Sequence, residues 1–172
     1  MAQVSGFPPI ANKQARVLIL GSMPGLESLR QQQYYAHPRN SFWYIMSSLL
    51  GFDLSLPYED RCQLLKLNKL AVWDVLQACY RPGSLDSAID LKTARANDFE
   101  SFLQAHPQVK TIFFNGGTAE QQFIRQVLPD LERLGLRLTY HRLPSTSPAH
   151  ASMRPEQKLD AWRIVAETAG AA

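Results

Sequence analysis

Cysteine, long apolar runs and blocks of like charge are all scarce in this sequence. Only Cys62 and Cys79 occur among its 172 residues, which excludes a disulfide framework and a metal site built on four cysteines. No apolar run approaches the roughly 20 residues that span a bilayer, and no signal-peptide pattern is found at the N-terminus. We therefore expect a cytoplasmic protein that makes no contact with membranes.

Overall composition favours one folded domain with a mild attraction to anionic partners. Hydrophobic residues make up 45% of the chain, which excludes a disordered or fibrous protein. The chain has 18 Lys and Arg against 15 Asp and Glu, and its pI near 9.0 permits a nucleic-acid partner without requiring one. We predict a single domain over residues 1–172, with a loose N-terminal lead-in over residues 1–15 that contains Pro8 and Pro9.

Short apolar runs alternate with segments that have helical periodicity. An apolar stripe follows Asn40, and another carries Trp162 and Val165. Asn97 and Glu100 have the spacing of a capping box before a further helix. The order predicts an α/β fold, a three-layer αβα sandwich with a central four-stranded parallel sheet. The predicted strands are residues 16–20, 70–73, 109–114 and 136–143, and the predicted helices include residues 26–32, 57–67 and 155–169.

The unusual polar residues follow the predicted strands at their carboxyl ends. The turn Gly21–Gly25 comes after the first strand, Asp74 after the second, Asn115 after the third and residues 144–150 after the fourth. Ligands of open parallel sheets bind beyond this edge. The convergence of four such segments predicts one functional site, and it is a stronger indication than any single motif.

The turn Gly21–Gly25 and Asn40 each allow a structural and a functional interpretation. Gly21, Ser22 and Met23 could present backbone N–H groups to a phosphate or a base, although the turn lacks the lysine of a phosphate-binding loop. The alternative is a tight strand-to-helix turn. Asn40 could orient a water molecule, or it could act only as a helix N-cap, which contributes about 1 kcal/mol.

Aromatic and amide side chains near the predicted site suit the recognition of a nucleic-acid base. Tyr34 and Tyr35 lie in a polar loop, where an aromatic ring can stack on a base with about 1–3 kcal/mol, or they pack in the core. Asn115 has both a donor and an acceptor, as reading of a base edge requires, although asparagine is also common in turns.

The loop after the fourth strand places small hydroxyls between prolines. Ser145, Thr146 and Ser147 could bind a phosphate through hydroxyl and N–H groups, or they could form an ordinary loop. His150 could contact a phosphate or a leaving base, and Arg154 follows shortly afterwards in the chain. These residues are our candidates for contacts with a nucleic-acid backbone.

Three motifs in this order resemble the uracil-DNA glycosylase superfamily, most closely its hypoxanthine (deoxyinosine)-DNA glycosylase branch. They are Gly-Ser-Met-Pro-Gly at residues 21–25, Gln-Tyr-Tyr-Ala-His-Pro-Arg-Asn-Ser-Phe-Trp at residues 33–43, and Leu-Pro-Ser-Thr-Ser-Pro-Ala at residues 143–149. Residues 73–75 and 81–86 fit the same branch, and the resemblance covers nearly the whole chain. It implies the same sheet architecture that the strand pattern predicts.

The resemblance implies a monofunctional DNA glycosylase, which hydrolyses the N-glycosidic bond of a damaged base flipped out of double- or single-stranded DNA. We expect that base to be hypoxanthine. The alternatives are a uracil- or mismatch-specific glycosylase and a lesion-binding module without catalysis. We expect a nucleoid-associated monomer that needs no metal or cofactor, and two cysteines exclude the iron–sulfur branches of the family.

Individual roles in the site follow from the same resemblance. Asn40 matches a position that is implicated in catalysis, and Asp74 is the alternative activator of water. Tyr35 falls where the family stacks an aromatic ring on the flipped base, and Asn115 matches an asparagine that reads the base in one branch. Arg154 is our candidate for filling the gap that the flipped base leaves in the DNA stack.

At two positions the chain departs from the family pattern. Met23 stands where Asp or Asn commonly activates water, and Leu143 stands where His commonly stabilises the leaving base. A methionine cannot activate water, so we expect the turn Gly21–Gly25 to bind the base through its backbone and Asn40 to take the catalytic role. Both departures argue against strong cleavage of uracil.

Overall fold

Residues 3–170 are described by a computed structural model, which contains both strands and helices. None of the helices within this range is long and apolar enough to cross a membrane. The strands are β1 (Gln3–Ser5), β2 (Val17–Gly21), β3 (Leu70–Asp74), β4 (Leu76–Tyr80), β5 (Asp90–Ala96), β6 (Thr111–Asn115) and β7 (Thr139–Leu143). The helices are α1 (Leu26–Gln31), α2 (Phe42–Leu50), α3 (Tyr58–Leu67), α4 (Phe99–Ala105), α5 (Gly117–Gln126), α6 (Leu128–Arg133) and α7 (Pro155–Ala169), and a 3-10 turn covers Asp86–Ala88.

The main sheet has four parallel strands in the order β3-β2-β6-β7, which confirms the predicted fold class. Strands β2, β3 and β6 are buried along their whole length, because helices cover both faces of the sheet. The register places Gly21 beside Asp74, and Asn115 beside Leu143. The four strands therefore end side by side at one edge, where the chain has its unusual residues.

Successive side chains along each strand point to opposite faces of the main sheet, and each face is covered by a separate apolar core. Leu18 and Leu20 of β2 point to a core that contains aromatic residues of α4 and α5. Val17 and Ile19 point to the opposite core, which contains Trp162 of α7 and residues of α2 and α3. Trp162 is fully buried there. These layers agree with the predicted αβα sandwich.

A second sheet, with the order β1-β4-β5, was not predicted. The expectation of a loose lead-in is wrong for Gln3–Ser5, which pairs antiparallel with β4, and for Ile10, which forms an antiparallel bridge to Val72 of the edge strand β3. The Tyr34 hydroxyl also donates to the carbonyl oxygen of Pro8 at 2.8 Å. These partners are remote in sequence, so the segment has no local pattern that predicts a strand. Residues 1 and 2 of the lead-in lie outside the described residues.

Helix α4 begins one residue later than the predicted capping box. Asp98, and not Asn97, is the N-cap, and its carboxylate accepts the N–H of Ser101 at 3.0 Å. Asn97 instead donates from its side-chain amide to the carbonyl oxygen of Asp74 at 2.8 Å. A carboxylate at an N-cap also interacts favourably with the positive end of the helix dipole, which favours Asp98 in this role.

Candidate active site

A cleft of about 650 Å³ lies beyond the carboxyl ends of the four parallel strands. Every predicted site residue except Arg154 lines this cleft. Its volume falls within the range of about 300–1,000 Å³ that is typical of small-molecule pockets, and it suits one nucleobase with its sugar. The position agrees with the expectation from strand topology.

The turn Gly21–Gly25 forms one wall and is supported from behind by a buried cation. Arg81, which is 2% exposed, donates from Nη2 to the carbonyl oxygen of Pro24 at 2.6 Å. Its Nε donates to the carbonyl oxygen of Gly83 at 2.8 Å. The turn is also tied to the 3-10 segment, because the Ser22 hydroxyl donates to Asp86 at 2.6 Å. No local pattern in the sequence predicts that the charge of Arg81 is buried.

Asp74 ends strand β3 and lies against the start of this turn. Its side chain is 3% exposed, and its Oδ2 accepts no hydrogen bond from the described residues. Burial raises the pKa of Asp74 to about 7, and the nearby Asp86 carboxylate adds to this shift, whereas Arg81 opposes it. The carboxyl group is therefore poised between its neutral and ionised forms near neutral pH.

Tyr35 is both a packed residue and a wall of the cleft. Its ring stacks on Phe42 with a centroid separation of 4.2 Å and an interplanar angle of 23°. The backbone of Tyr35 has a φ of 56°, a left-handed conformation that is uncommon for residues other than glycine. Burial raises the pKa of the Tyr35 hydroxyl, and Asp74 raises it further, so the hydroxyl stays protonated.

Asn40 lines the cleft at the start of α2, and its Oδ1 accepts the N–H of Phe42 at 3.0 Å. The predicted capping interaction is therefore present, although Ser41 is the residue that directly precedes the helix. Since the helix start also faces the cleft, the capping and the catalytic interpretations are compatible.

Asn115 and Thr146 bind each other across the floor of the cleft. Asn115 donates from Nδ2 to the Thr146 hydroxyl at 3.0 Å, and its Oδ1 accepts the N–H of Thr146 at 2.9 Å. Thr146 is 0% exposed, so the prediction that it contacts a phosphate is wrong, and the residue instead anchors its loop. Beyond this pair Asn115 has one amide hydrogen and one lone pair, and its amide lies close enough to the Tyr35 hydroxyl to lower the pKa of that hydroxyl.

The loop 144–149 forms the opposite wall and presents two half-buried serines. Ser145 accepts the N–H of Ser147 through its hydroxyl at 3.1 Å. Lys158 of α7, which is 3% exposed, donates to the carbonyl oxygen of Ser147 at 3.1 Å. Sequence reasoning missed Lys158, but a signal existed: it stands four residues before Trp162 on the inward-facing stripe of α7.

His150 and Arg154 differ in their relation to the cleft. His150 is half-buried and lines the cleft beside the loop 144–149. Arg154 is exposed at the N-cap of α7, outside the lining, where its N–H donates to Gln157 at 2.8 Å. Within residues 3–170 there is no group of three or more His, Cys, Asp or Glu side chains that could hold a metal ion.

Comparison with known proteins agrees with this architecture. The model of the uracil DNA glycosylase superfamily matches residues 8–167. A hypoxanthine DNA glycosylase of Methanosarcina acetivorans is 40% identical over 161 residues, which are 93% of this chain and 96% of that protein. One of Methanosarcina barkeri with the same name is 43% identical over 112 residues, which are 64% of this chain and 70% of that protein.

A solved structure resembles this chain over nearly its full length. It is a solution NMR structure of a Methanosarcina acetivorans protein described as a candidate uracil DNA glycosylase. The TM-score is 0.80 at 32% identity, and the match covers 98% of this chain and 99% of that one.

The fold and the position of the cleft define an α/β enzyme that acts at the carboxyl edge of a parallel sheet. The chain belongs to the uracil DNA glycosylase superfamily. It is a DNA glycosylase of base-excision repair, and DNA is its substrate. The predictions of family, fold class and enzyme class are confirmed.

Proposed function

We propose that this protein releases hypoxanthine from deoxyinosine in DNA by hydrolysis of the N-glycosidic bond. The observation that carries the proposal is a cleft that combines a stacking aromatic ring, Tyr35, with polar groups at its floor. The relatives named hypoxanthine DNA glycosylase support this base as the substrate.

The flipped base stacks on Tyr35 from the side opposite Phe42. Flipping costs a few kcal/mol, and one stacked base recovers about 1–3 kcal/mol. Because Phe42 supports the ring from behind at 4.2 Å, Tyr35 is held in place before the base arrives. A preorganised ring loses little conformational freedom on binding, so more of the stacking energy offsets the cost of flipping.

Departure of the base leaves the electron pair of the broken bond on the base, while positive charge develops at C1′ of the sugar. Backbone N–H groups of the turn Gly21–Gly25 face that negative charge, and the buried Arg81 guanidinium behind the turn adds a favourable field. Asn115 offers its remaining amide hydrogen to the base.

Asn40 orients the attacking water toward C1′. An amide has no useful proton-accepting pKa, so its contribution is orientation and not general-base catalysis. Met23 stands in the turn where the family commonly places Asp or Asn, and a thioether cannot take over that role. Most of the rate acceleration must then come from stabilising the departing base.

The DNA backbone runs over the rim of the cleft, where Ser145, Ser147 and His150 bind phosphates flanking the flipped nucleotide. Arg154 is exposed and follows the rim residue His150 closely in the sequence, and it fills the gap that the flipped base leaves in the DNA stack. We further propose that the protein acts as a monomer.

The test is a glycosylase assay on duplex DNA with one deoxyinosine, run in EDTA beside duplexes with uracil or xanthine. We expect release of hypoxanthine and formation of an abasic site, with deoxyinosine cleaved faster than deoxyuridine. Intact binding to the deoxyinosine duplex without an abasic product would contradict the proposal and favour a lesion-binding module.

The role of Asn40 is tested in the same assay with Asn40→Ala and, as a matched control, Asp98→Ala. Each substitution removes a side chain that accepts a backbone N–H at a helix start, so each costs about 1 kcal/mol of stability. Only Asn40→Ala should lower the single-turnover rate, by at least about tenfold, or about 1.4 kcal/mol in barrier. Equal rates for the two variants would leave capping as the whole role of Asn40.

A further inference from the structure

Three buried side-chain atoms find no hydrogen-bond partner among the described residues, and all three surround the turn Gly21–Gly25. They are Oδ2 of Asp74, the hydroxyl oxygen of Tyr35 and Nη1 of Arg81. Buried polar groups in proteins are nearly always paired, so such a cluster requires an explanation. Two of these residues, Asp74 and Tyr35, also line the cleft, so the cluster lies beside the proposed binding site for the base.

Gly21 brings Asp74 and Tyr35 together. A Cβ atom at position 21 would lie 2.5 Å from Oδ1 of Asp74 and 2.8 Å from the Tyr35 hydroxyl, so any larger residue would displace both groups. Asp74 is also the parallel-sheet partner of Gly21 in the register of β2 and β3. The two polar groups therefore converge on the strand end from which the base-binding turn begins.

Resting on the proposed function, we propose that Asp74 acts as a neutral carboxylic acid that donates a hydrogen bond to the departing base. The accepting atom is the carbonyl oxygen or a ring nitrogen of hypoxanthine, where negative charge develops as the bond to C1′ breaks. Water supplies hydroxide to C1′, and its proton neutralises the base, so Asp74 keeps its own proton through the reaction.

The surroundings of Asp74 determine whether it can play this part. Arg81 and Asp86 are the charged groups that act on Asp74, and Tyr34 and Tyr35 are the hydroxyls that its charge influences. Burial raises the pKa of Asp74 to about 7, so the neutral form is abundant at neutral pH and below. An ionised Asp74 would repel the anionic base, whereas a protonated one stabilises it, as buried acids do in other active sites.

The pH dependence separates this role from activation of water by Asp74. A water activator must be ionised, so its rate rises with pH through the pKa of the group. A hydrogen-bond donor must be protonated, so its rate falls with pH through the same range. The two roles predict opposite slopes for one residue.

The experiment measures single-turnover release of the base from about pH 5 to about pH 9 for the wild type, Asp74→Asn and Asp74→Ala. Above about pH 7 we expect the wild-type rate to fall by up to tenfold per pH unit. Asp74→Asn keeps an uncharged donor of the same size, so it should lose this descending limb and retain more activity than Asp74→Ala. Asp74→Ala should lose at least about a hundredfold, as removal of one preorganised donor does elsewhere.

Two further variants complete the design. Tyr35→Phe removes only the hydroxyl and keeps the stacking ring, so it should keep the descending limb. Asp160→Asn changes an exposed carboxylate on α7 and should match the wild type at every pH.

A wild-type rate that rises through pH 7, or activity of Asp74→Ala equal to that of the wild type, would overturn the role of Asp74. Release of uracil or xanthine in place of hypoxanthine would overturn the proposed substrate alone. The role of Asp74 could then still be tested by measuring the pH dependence of release of that other base. Release of no base from any duplex would overturn both proposals.

Discussion

The two walls of the cleft are both backed by a buried cation, but they depend on it to different degrees. Arg81 supports the turn Gly21–Gly25 with hydrogen bonds to two carbonyl oxygens, those of Pro24 and Gly83. Lys158 supports the loop 144–149 with a single hydrogen bond, to the carbonyl oxygen of Ser147.

The loop 144–149 has several further supports that are neutral. Trp162 donates to the carbonyl oxygen of Pro144 at 2.9 Å, the N–H of Ser41 donates to that of Thr146 at 2.9 Å, and Asn115 pairs twice with Thr146. The turn Gly21–Gly25 also accepts the N–H groups of Val75 and Leu76, at the carbonyl oxygens of Gly21 and Ser22, but the carbonyl oxygen of Pro24 is held by the buried charge of Arg81. Removal of that charge should weaken the middle of the turn. A wall with distributed neutral supports should tolerate the loss of any single one.

Arg81→Met tests the support of the turn Gly21–Gly25, and we expect the largest effect from this substitution. The substitution leaves the carbonyl oxygens of Pro24 and Gly83 without their donor and leaves Asp74 and Asp86 without a nearby cation. The free energy of unfolding in urea should fall by about 2–4 kcal/mol, and base release should slow. Arg133→Met, at an exposed arginine of α6, is the control and should stay within about 0.5 kcal/mol of the wild type.

Thr146→Val tests one neutral support of the second wall, and its expected effect is intermediate. The variant keeps the volume of the side chain but leaves Nδ2 of Asn115 without its acceptor. We expect a loss of about 1–2 kcal/mol in the free energy of unfolding. Thr168→Val removes a hydroxyl on the exposed side of α7 and should cost less than about 0.5 kcal/mol. Equal losses in the two variants would show that the Asn115–Thr146 pair is not a support of the loop.

Lys158→Met should have the smallest effect. Burial lowers the pKa of Lys158, which means that the folded protein holds this charge at a cost. Replacement by an apolar side chain of similar length removes that cost together with one hydrogen bond, so stability should change by less than about 1 kcal/mol in urea. A loss as large as that of Arg81→Met would show that both walls depend equally on their cations.

The main sheet could be predicted from the sequence because its strands are short apolar runs that end in polar residues. The second sheet could not. Gln3–Ser5 is three residues long and pairs with residues of β4 that lie more than 70 positions further along the chain. Strand β4 follows β3 after the single residue Val75, so no turn signal separates the two. Short strands that pair with distant residues show no hydrophobic periodicity, so the local sequence does not predict them.

The candidate site shows the same division. Residues at the carboxyl ends of the strands could be placed in one cleft from topology alone, as Asp74 and Asn115 show. The hydrogen bonds among these residues could not be predicted from the sequence. Thr146 was therefore expected to contact DNA, although its hydroxyl binds Asn115. Burial of Arg81 and Lys158 depends on what packs over them, and only the folded structure provides that information.

The buried carboxyl group of Asp74 has a consequence for how this protein would respond to selection. Its pKa of about 7 in the folded state lies above the ordinary value near 3.8, so folding takes up a proton at intermediate pH. The contribution of Asp74 to the free energy of unfolding therefore falls as pH rises from about 4 to about 7. Above about pH 7 it is about 4 kcal/mol lower than below about pH 4. Selection for heat resistance alone at neutral pH would replace Asp74 early. If Asp74 is kept under selection for heat resistance, its benefit to catalysis must outweigh its cost in the free energy of unfolding.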